Sequence, residues 1–164
     1  MSERDHLDLR STVIGVVRSP YLKHEGTPIQ PSLAVMTPAE IHLDPEYREG
    51  LADLEGFERI WIIAWLDRAK PYCLRVVPYR DTVERGLFAT RAPSRPTPIG
   101  ISCVRIARVR HAEGIIEIEG VDLLDGTPVL DIKPYVSEFD AYPDAKHGWY
   151  ATSERRTEAD DRFA

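Results

Sequence analysis

Ile60-Trp-Ile-Ile-Ala-Trp-Leu66 is an unbroken apolar run. Any strand built from it is apolar on both faces, so it predicts a buried central strand. On either side of it the chain reads mostly as further short strands. Val13 to Val17, Ser32 to Met36 and Glu40 to Leu43 are candidates before it. After it come Tyr72 to Val77, with β-type composition, and Ile101 to Val109, apolar with arginines interspersed. Ile115-Ile-Glu-Ile-Glu119 alternates, which predicts one wet and one dry face. Pro128 to Lys133 gives a last short strand. One helix is signalled: Asp44 as its cap, Pro45 at its first position, Tyr47, Leu51 and Leu54 on one face, and Gly56 at its end. Many short strands with Gly/Pro turns predict a mainly-β fold, a barrel or a sandwich, with one or two short helices.

The chain has 164 residues, the length of one ordinary domain. Residues 1–10 and 152–164 read as polar N-terminal and flexible C-terminal tails around a domain of residues 11–151. Apolar residues make up 43% and charged residues 29%, the balance of a soluble globular protein. No apolar run reaches the roughly 20 residues of a membrane helix, and Met1 to Arg10 lacks the apolar stretch of a secretory signal. Cys73 and Cys103 form no CxxC pair; a reduced cytoplasmic setting with both thiols buried is the expectation. The histidines are scattered, so no metal site is expected. A net charge of −6 argues against non-specific binding of a polyanion over the whole surface. It leaves room for a local basic patch, because Arg75, Arg80, Arg85, Arg91, Arg95, Arg105, Arg108 and Arg110 crowd the middle of the chain.

Three segments could carry chemistry. In Ala89-Thr-Arg-Ala-Pro-Ser-Arg-Pro-Thr-Pro-Ile-Gly100, Pro93, Pro96 and Pro98 stiffen the backbone that holds Arg91 and Arg95. Guanidiniums so held suit anionic or planar ligands, though a Pro-rich surface turn looks the same in sequence. Asp122-Leu-Leu-Asp-Gly-Thr-Pro128 carries a turn signal at Asp125-Gly126, readable as a plain β-turn or as a carboxylate set against a polar ligand. Asp67-Arg68 closes the apolar run with a charged pair. No GxGxxG follows a strand, and no Ser/His/Asp elbow or phosphate loop is present.

Taken in order, Ile14-Gly-Val-Val-Arg-Ser-Pro20, Gly86-Leu-Phe-Ala-Thr-Arg91, Arg95-Pro-Thr-Pro-Ile-Gly100 and Asp122-Leu-Leu-Asp-Gly-Thr-Pro-Val-Leu-Asp-Ile-Lys-Pro-Tyr135 resemble the TsaA-like (TrmO) family of S-adenosylmethionine-dependent methyltransferases. The resemblance spans roughly residues 12–150. It implies a small β-barrel, a homodimer, S-adenosylmethionine as cofactor, and N6-methylation of N6-threonylcarbamoyladenosine at position 37 of a tRNA. The residues that match its cofactor positions are Gln30, Pro31, Ser32, Leu33, Asp67, Arg68, Arg91, Ile101, Asp122, Leu123, Leu124, Asp125 and Gly126. Arg95 matches a motif position without a role attached to it.

Methyl transfer from a sulfonium requires nucleophile, methyl and sulfur in line, so positioning carries much of the rate. Arg91 could take the cofactor's carboxylate. Asp67 or Asp125 could accept the proton that an exocyclic nitrogen must lose, and sequence leaves the choice open. The chain departs from tRNA-active members in two ways. It carries Asp67-Arg68 where they carry His-Gln, and few residues follow the barrel where they carry a tRNA-handling domain. A small-molecule methyltransferase and a non-catalytic S-adenosylmethionine-binding protein are the competing expectations.

Overall fold

In a computed structural model, residues 12–34 and 36–163 are described. The expected N-terminal tail, residues 1–10, lies outside them. In chain order the strands are β1 (Gly15–Arg18), β2 (Pro38–Leu43), β3 (Arg59–Trp65), β4 (Arg75–Val76), β5 (Arg85–Gly86), β6 (Ile99–Arg110), β7 (Ile115–Glu119) and β8 (Pro128–Pro134). β1, β2, β7, β6, β3 and β8 close into a barrel in that order, each neighbouring pair antiparallel. The fold is therefore mainly β and a barrel rather than a sandwich. Closure removes the open sheet edges that would otherwise pair with other chains. β4 and β5 form a separate two-stranded ribbon, all that pairs of the expected strand from Tyr72 to Val77.

The interior follows from strand alternation. In β3, Ile60, Ile62 and Ala64 are fully buried, while Trp61, Ile63 and Trp65 are half-buried on the other face. The run is thus a central strand with one core face rather than two. Its outer face is partly covered by aromatic packing: Trp61 meets Tyr135 edge-on at 5.8 Å and donates its indole N–H to Asp140 at 3.2 Å. Asp140 ends the four-residue helix α1 (Ser137–Asp140). Ile116 and Ile118 of β7, Ile41 of β2, Val104 of β6 and Val129 of β8 complete the interior. Each such side chain stabilises the fold by about 1.5–3 kcal/mol through burial.

The expected helix after Asp44 is instead two 3-10 turns, Pro45–Leu51 and Leu54–Gly56. Asp53 between them has φ 66°, a left-handed conformation that no α-helix contains, and the Asp44 side chain makes no cap. The apolar spacing still serves: Leu51 and Leu54 are buried and plug this end of the barrel. Within Ser32 to Met36, also expected as a strand, Pro31–Leu33 is a 3-10 turn. Pro31, at the first helical position, lacks the N–H a ladder would need. Cys73 is exposed, contrary to expectation, and Cys103 is half-buried; both are free thiols.

Residues 152–163, read from composition as a flexible tail, lie against the barrel. The Ala159 N–H donates to the Thr27 carbonyl at 2.8 Å, and the Ala159 carbonyl accepts from the Gly26 N–H at 3.0 Å, beside a bridge between Pro28 and Glu158. Arg162 donates to the Pro78 carbonyl at 2.6 Å. Phe163 is buried beside Leu87 and Ala92 and meets Tyr79 at right angles, 5.0 Å between centroids. The sparse apolar residues of this segment concealed its docking, because one aromatic side chain and backbone hydrogen bonds carry it.

Candidate functional site

The barrel end opposite the Leu51/Leu54 plug opens into a cleft of about 640 Å³. It lies where β3 ends, β6 begins and β7 connects to β8. Antiparallel pairing brings these together: Trp65 lies opposite Ile99, and Ala64 opposite both Gly100 and Val129. The β3–β8 register shifts between Ile63 and Ala64, one turn before the cleft, and such irregularities re-aim side chains at barrel rims.

The connection from β7 to β8 is the floor. Val121, Leu123 and Leu124 are buried, and Gly126 turns the chain at φ 77°. The turn is pinned from several sides. Asp125 N–H donates to Tyr21 O at 2.7 Å, Gly126 N–H to Val17 O at 2.8 Å, and the Ser19 hydroxyl to Leu123 O at 2.7 Å. Arg68 donates to the Asp125 carbonyl at 2.7 Å and the Thr127 hydroxyl at 3.2 Å. The Asp125 carboxylate accepts from Ser19 N–H at 3.2 Å and lies 3.6 Å from the Arg18 guanidinium. It is neither a self-contained turn aspartate nor a cleft residue.

Asp122 is the floor's other aspartate and faces the cleft. Ser102, buried on β6, donates its hydroxyl to Asp122 Oδ1 at 2.6 Å. Burial pushes the Asp122 carboxyl up to about 6; the Ser102 hydrogen bond, the residue's own backbone N–H and the charge of Arg91 pull in the opposite direction.

The proline-stiffened segment forms one wall, and its two arginines do different things. Arg91 reaches the Gln30 side-chain oxygen at 2.5 Å and lines the cleft. Arg95 also touches the cleft but turns inward, donating to the carbonyls of Leu87, Thr90 and Ala92 at 3.4, 3.1 and 3.4 Å, with its guanidinium over the Phe88 ring at 5.7 Å. Arg95 thus braces the 3-10 turn Leu87–Ala89.

The structure brings Gln30, Asp67, Arg68, Arg91, Ile101, Asp122, Leu123 and Leu124 into one cleft. Pro31, Ser32, Leu33, Asp125 and Gly126 stand outside its lining. Asp67 sits at the rim with its carboxylate 3.5 Å from Arg68. The central arginines do not form one patch. Arg75 pairs with Glu84, Arg85 with Asp81, and Arg105 with Glu119, while Arg110 contacts Glu40, Glu113 and Glu117. Arg68, Arg80, Arg91 and Arg95 surround the cleft against Asp67 and Asp122, so the cleft is locally cationic in an acidic protein.

Sequence reasoning missed three groups. His24 lines the cleft, and its shielded Nε2 has no protein partner among the described groups. Ser102 looks like any small residue in an alternating strand. Trp149 and Tyr150, stacked at 3.9 Å, wall the cleft from the C-terminal segment, held by the Trp149 indole N–H on the Ala89 carbonyl at 2.8 Å. Among the described residues no cluster of three His, Cys, Asp or Glu is placed to hold a metal, and no helix is long and apolar enough to cross a membrane.

A family model described as the tRNA-methyltransferase O N-terminal domain matches residues 16–141. A probable S-adenosyl-L-methionine-binding protein of Pyrococcus abyssi is 44% identical over 153 residues, covering 92% of this chain and 82% of that protein. The tRNA (adenine(37)-N6)-methyltransferase of Escherichia coli is 37% identical over 145 residues, 80% of this chain and 60% of the enzyme. The crystal structure of TrmO from Pseudomonas aeruginosa superposes with a TM-score of 0.70 at 37% identity, over 84% of this chain and 60% of that one. The chain thus spans about three fifths of these two methyltransferases.

Proposed function

The chain belongs to the tRNA-methyltransferase O N-terminal domain family, and from that premise we propose that it is an S-adenosylmethionine-dependent methyltransferase. Its acceptor is N6 of adenosine 37 of a tRNA, the nitrogen bearing a threonylcarbamoyl group. The observation that carries the reading is the cationic cleft in which Arg91, Gln30 and the Asp122 floor converge.

The cleft fits the cofactor by size and donor set. Its volume lies within the roughly 300–1,000 Å³ of small-molecule sites. Leu66, Ile101, Leu123 and Leu124 supply apolar wall, the Arg91 guanidinium suits a carboxylate, and the unpartnered His24 Nε2 leaves a polar group to satisfy. When bound, the cofactor supplies a methyl group on a positively charged sulfur. Gln30 holds the Arg91 side chain and Arg68 holds the floor turn, so both walls are fixed before ligand arrives. That preorganisation limits the entropy lost on binding and keeps the reacting atoms aligned.

Exposed Phe88, Ile99 and Ile101 beside the cleft support a homodimer that covers them. A tRNA substrate supports a cytoplasmic location. The test is mass spectrometry of tRNA nucleosides from a deletion strain, which is expected to lack the N6-methylated base. An unchanged nucleoside profile, with label passing instead to a low-molecular-weight extract, would replace tRNA by a small acceptor.

A further inference from the structure

Three aspartates at the open barrel end are chemically alike in sequence and differ in the structure. Asp125 is spent on Ser19 N–H and Arg18, outside the cleft lining. The Asp67 side chain is 43% exposed at the rim, beside the Arg68 guanidinium. Asp122 alone of the three stands on the cleft floor, with Oδ1 fixed by the Ser102 hydroxyl. Ser102 is 2% exposed and lies opposite Ile62 in the β3–β6 ladder, so the donor that orients the carboxylate is buried and set on a paired strand of the barrel. Besides the Ser102 hydroxyl, the residue's own backbone N–H meets the carboxylate, and its two oxygens still carry lone pairs that neither bond uses. Among the described residues no arginine hydrogen-bonds to it, and Arg91 reaches it through its charge.

We propose that Asp122 is the proton acceptor for the nitrogen that receives the methyl group, with Ser102 as its positioning residue. The assignment rests on the methyltransferase reading above. The acceptor nitrogen gives its lone pair to the methyl carbon, and the carbon–sulfur bond of the sulfonium donor breaks with its electron pair passing to sulfur. The N–H proton goes to a lone pair on the Asp122 carboxylate and from there to water. Burial makes this carboxylate a stronger base than a solvated one while leaving it ionised at neutral pH. The other ionisable groups on the cleft are Asp67 and Arg68 at the end of β3, His24 before the 3-10 turn at Pro31, Tyr79 and Arg80, Arg91 and Arg95, and His147 and Tyr150 on the C-terminal segment. Two of these, His24 and His147, are imidazoles, so the test must separate their contribution from that of Asp122.

The experiment uses the full chain, S-adenosylmethionine with a labelled methyl group, and total tRNA from the deletion strain. Asp122→Asn is expected to lower kcat by about 100-fold or more, while calorimetry finds cofactor affinity within about threefold of wild type. Ser102→Ala removes a bond that favours the ionised form, so the acid limb of the kcat/KM profile moves to higher pH. A purely structural role for Ser102 would lower the rate without moving the limb. In the ligand-free protein, carbon NMR of the Asp122 carboxyl is expected to titrate near 6. His24→Gln and His147→Gln are expected to leave that titration near 6. Undiminished kcat in Asp122→Asn, or lost cofactor affinity with unchanged kcat at saturation, overturns the assignment alone. No labelled product with wild type overturns the proposed function and this assignment with it.

Discussion

At the plugged end of the barrel, guanidiniums meet carboxylates. Arg110 lies 3.0 Å from Glu113, 3.3 Å from Glu117 and 3.4 Å from Glu40, and nearby His111 contacts Glu55 at 3.1 Å. At the cleft end Arg18 and Arg68 lie 3.6 and 3.5 Å from Asp125 and Asp67, but the hydrogen bonds of the cleft-lining arginines go to oxygens without charge. Arg68 holds the Asp125 carbonyl, Arg95 holds three carbonyls of its own loop, and Arg91 holds the Gln30 amide. The first arrangement satisfies charge with charge at a half-exposed surface and contributes little to stability. The second uses cations to fix uncharged groups and leaves Arg91 and Arg95 without an ion-pair partner among the described residues. A pocket for an anionic group needs that second arrangement, and it comes from the same residue type placed on loops instead of strands.

Four substitutions probe that contrast, the largest expected effect first. Ile62→Ala, in the core that joins both ends, should cost about 2–5 kcal/mol in denaturant unfolding. A loss well under 1 kcal/mol would mean that the barrel interior repacks freely. Arg91→Ala should weaken S-adenosylmethionine binding by about 1.5–3 kcal/mol with little change in stability, read by calorimetry and thermal melting. Unchanged affinity would remove Arg91 from the site and blur the distinction between the two ends.

Asp122→Asn should raise stability at neutral pH by roughly 1–3 kcal/mol. The folded carboxyl titrates near 6, above its unfolded value, so the native state binds more protons between about pH 4 and 6. Wild-type stability therefore falls as pH rises through that window, and the amide variant should lack the slope. Equal pH dependence of the two proteins would show that the floor carboxylate is solvated. Arg110→Ala should change stability by less than about 1 kcal/mol and leave cofactor affinity untouched. A larger loss would promote the charge cluster from surface decoration to structural support.

Period-two patterns were legible wherever one face is buried, which is why Ile115–Glu119 and Pro128–Lys133 stand as β7 and β8. The stretch after Asp44 misled because apolar spacing records which side chains turn inward, and the 3-10 turns turn Leu51 and Leu54 inward as a helix would. In the site, the ordered motifs pointed to Arg91, the Asp67-Arg68 pair and the Asp122–Gly126 turn. For the proton acceptor they suggested Asp67 or Asp125 and passed over Asp122, because the groups that separate Asp122 from Asp125, Ser102 on β6 and Ser19 after β1, are 20 and 106 positions away in sequence. Local sequence carries no trace of such pairings. Trp149 and Phe163 were hidden for the same reason, since their partners lie near Ala89 and Tyr79.

The docked C-terminal segment also sets an order of assembly. The last barrel strand is complete at Pro134, and every ladder of the barrel can close before the residues beyond it are made. The cleft waits for Trp149, Tyr150 and Phe163 to return across a long loop to Gly26–Pro28 and Pro78–Ala92. Such distant contacts form late, because loop-closure entropy must be met first. The barrel can therefore close with its binding site unfinished, and the cleft gains its last walls when Trp149, Tyr150 and Phe163 dock.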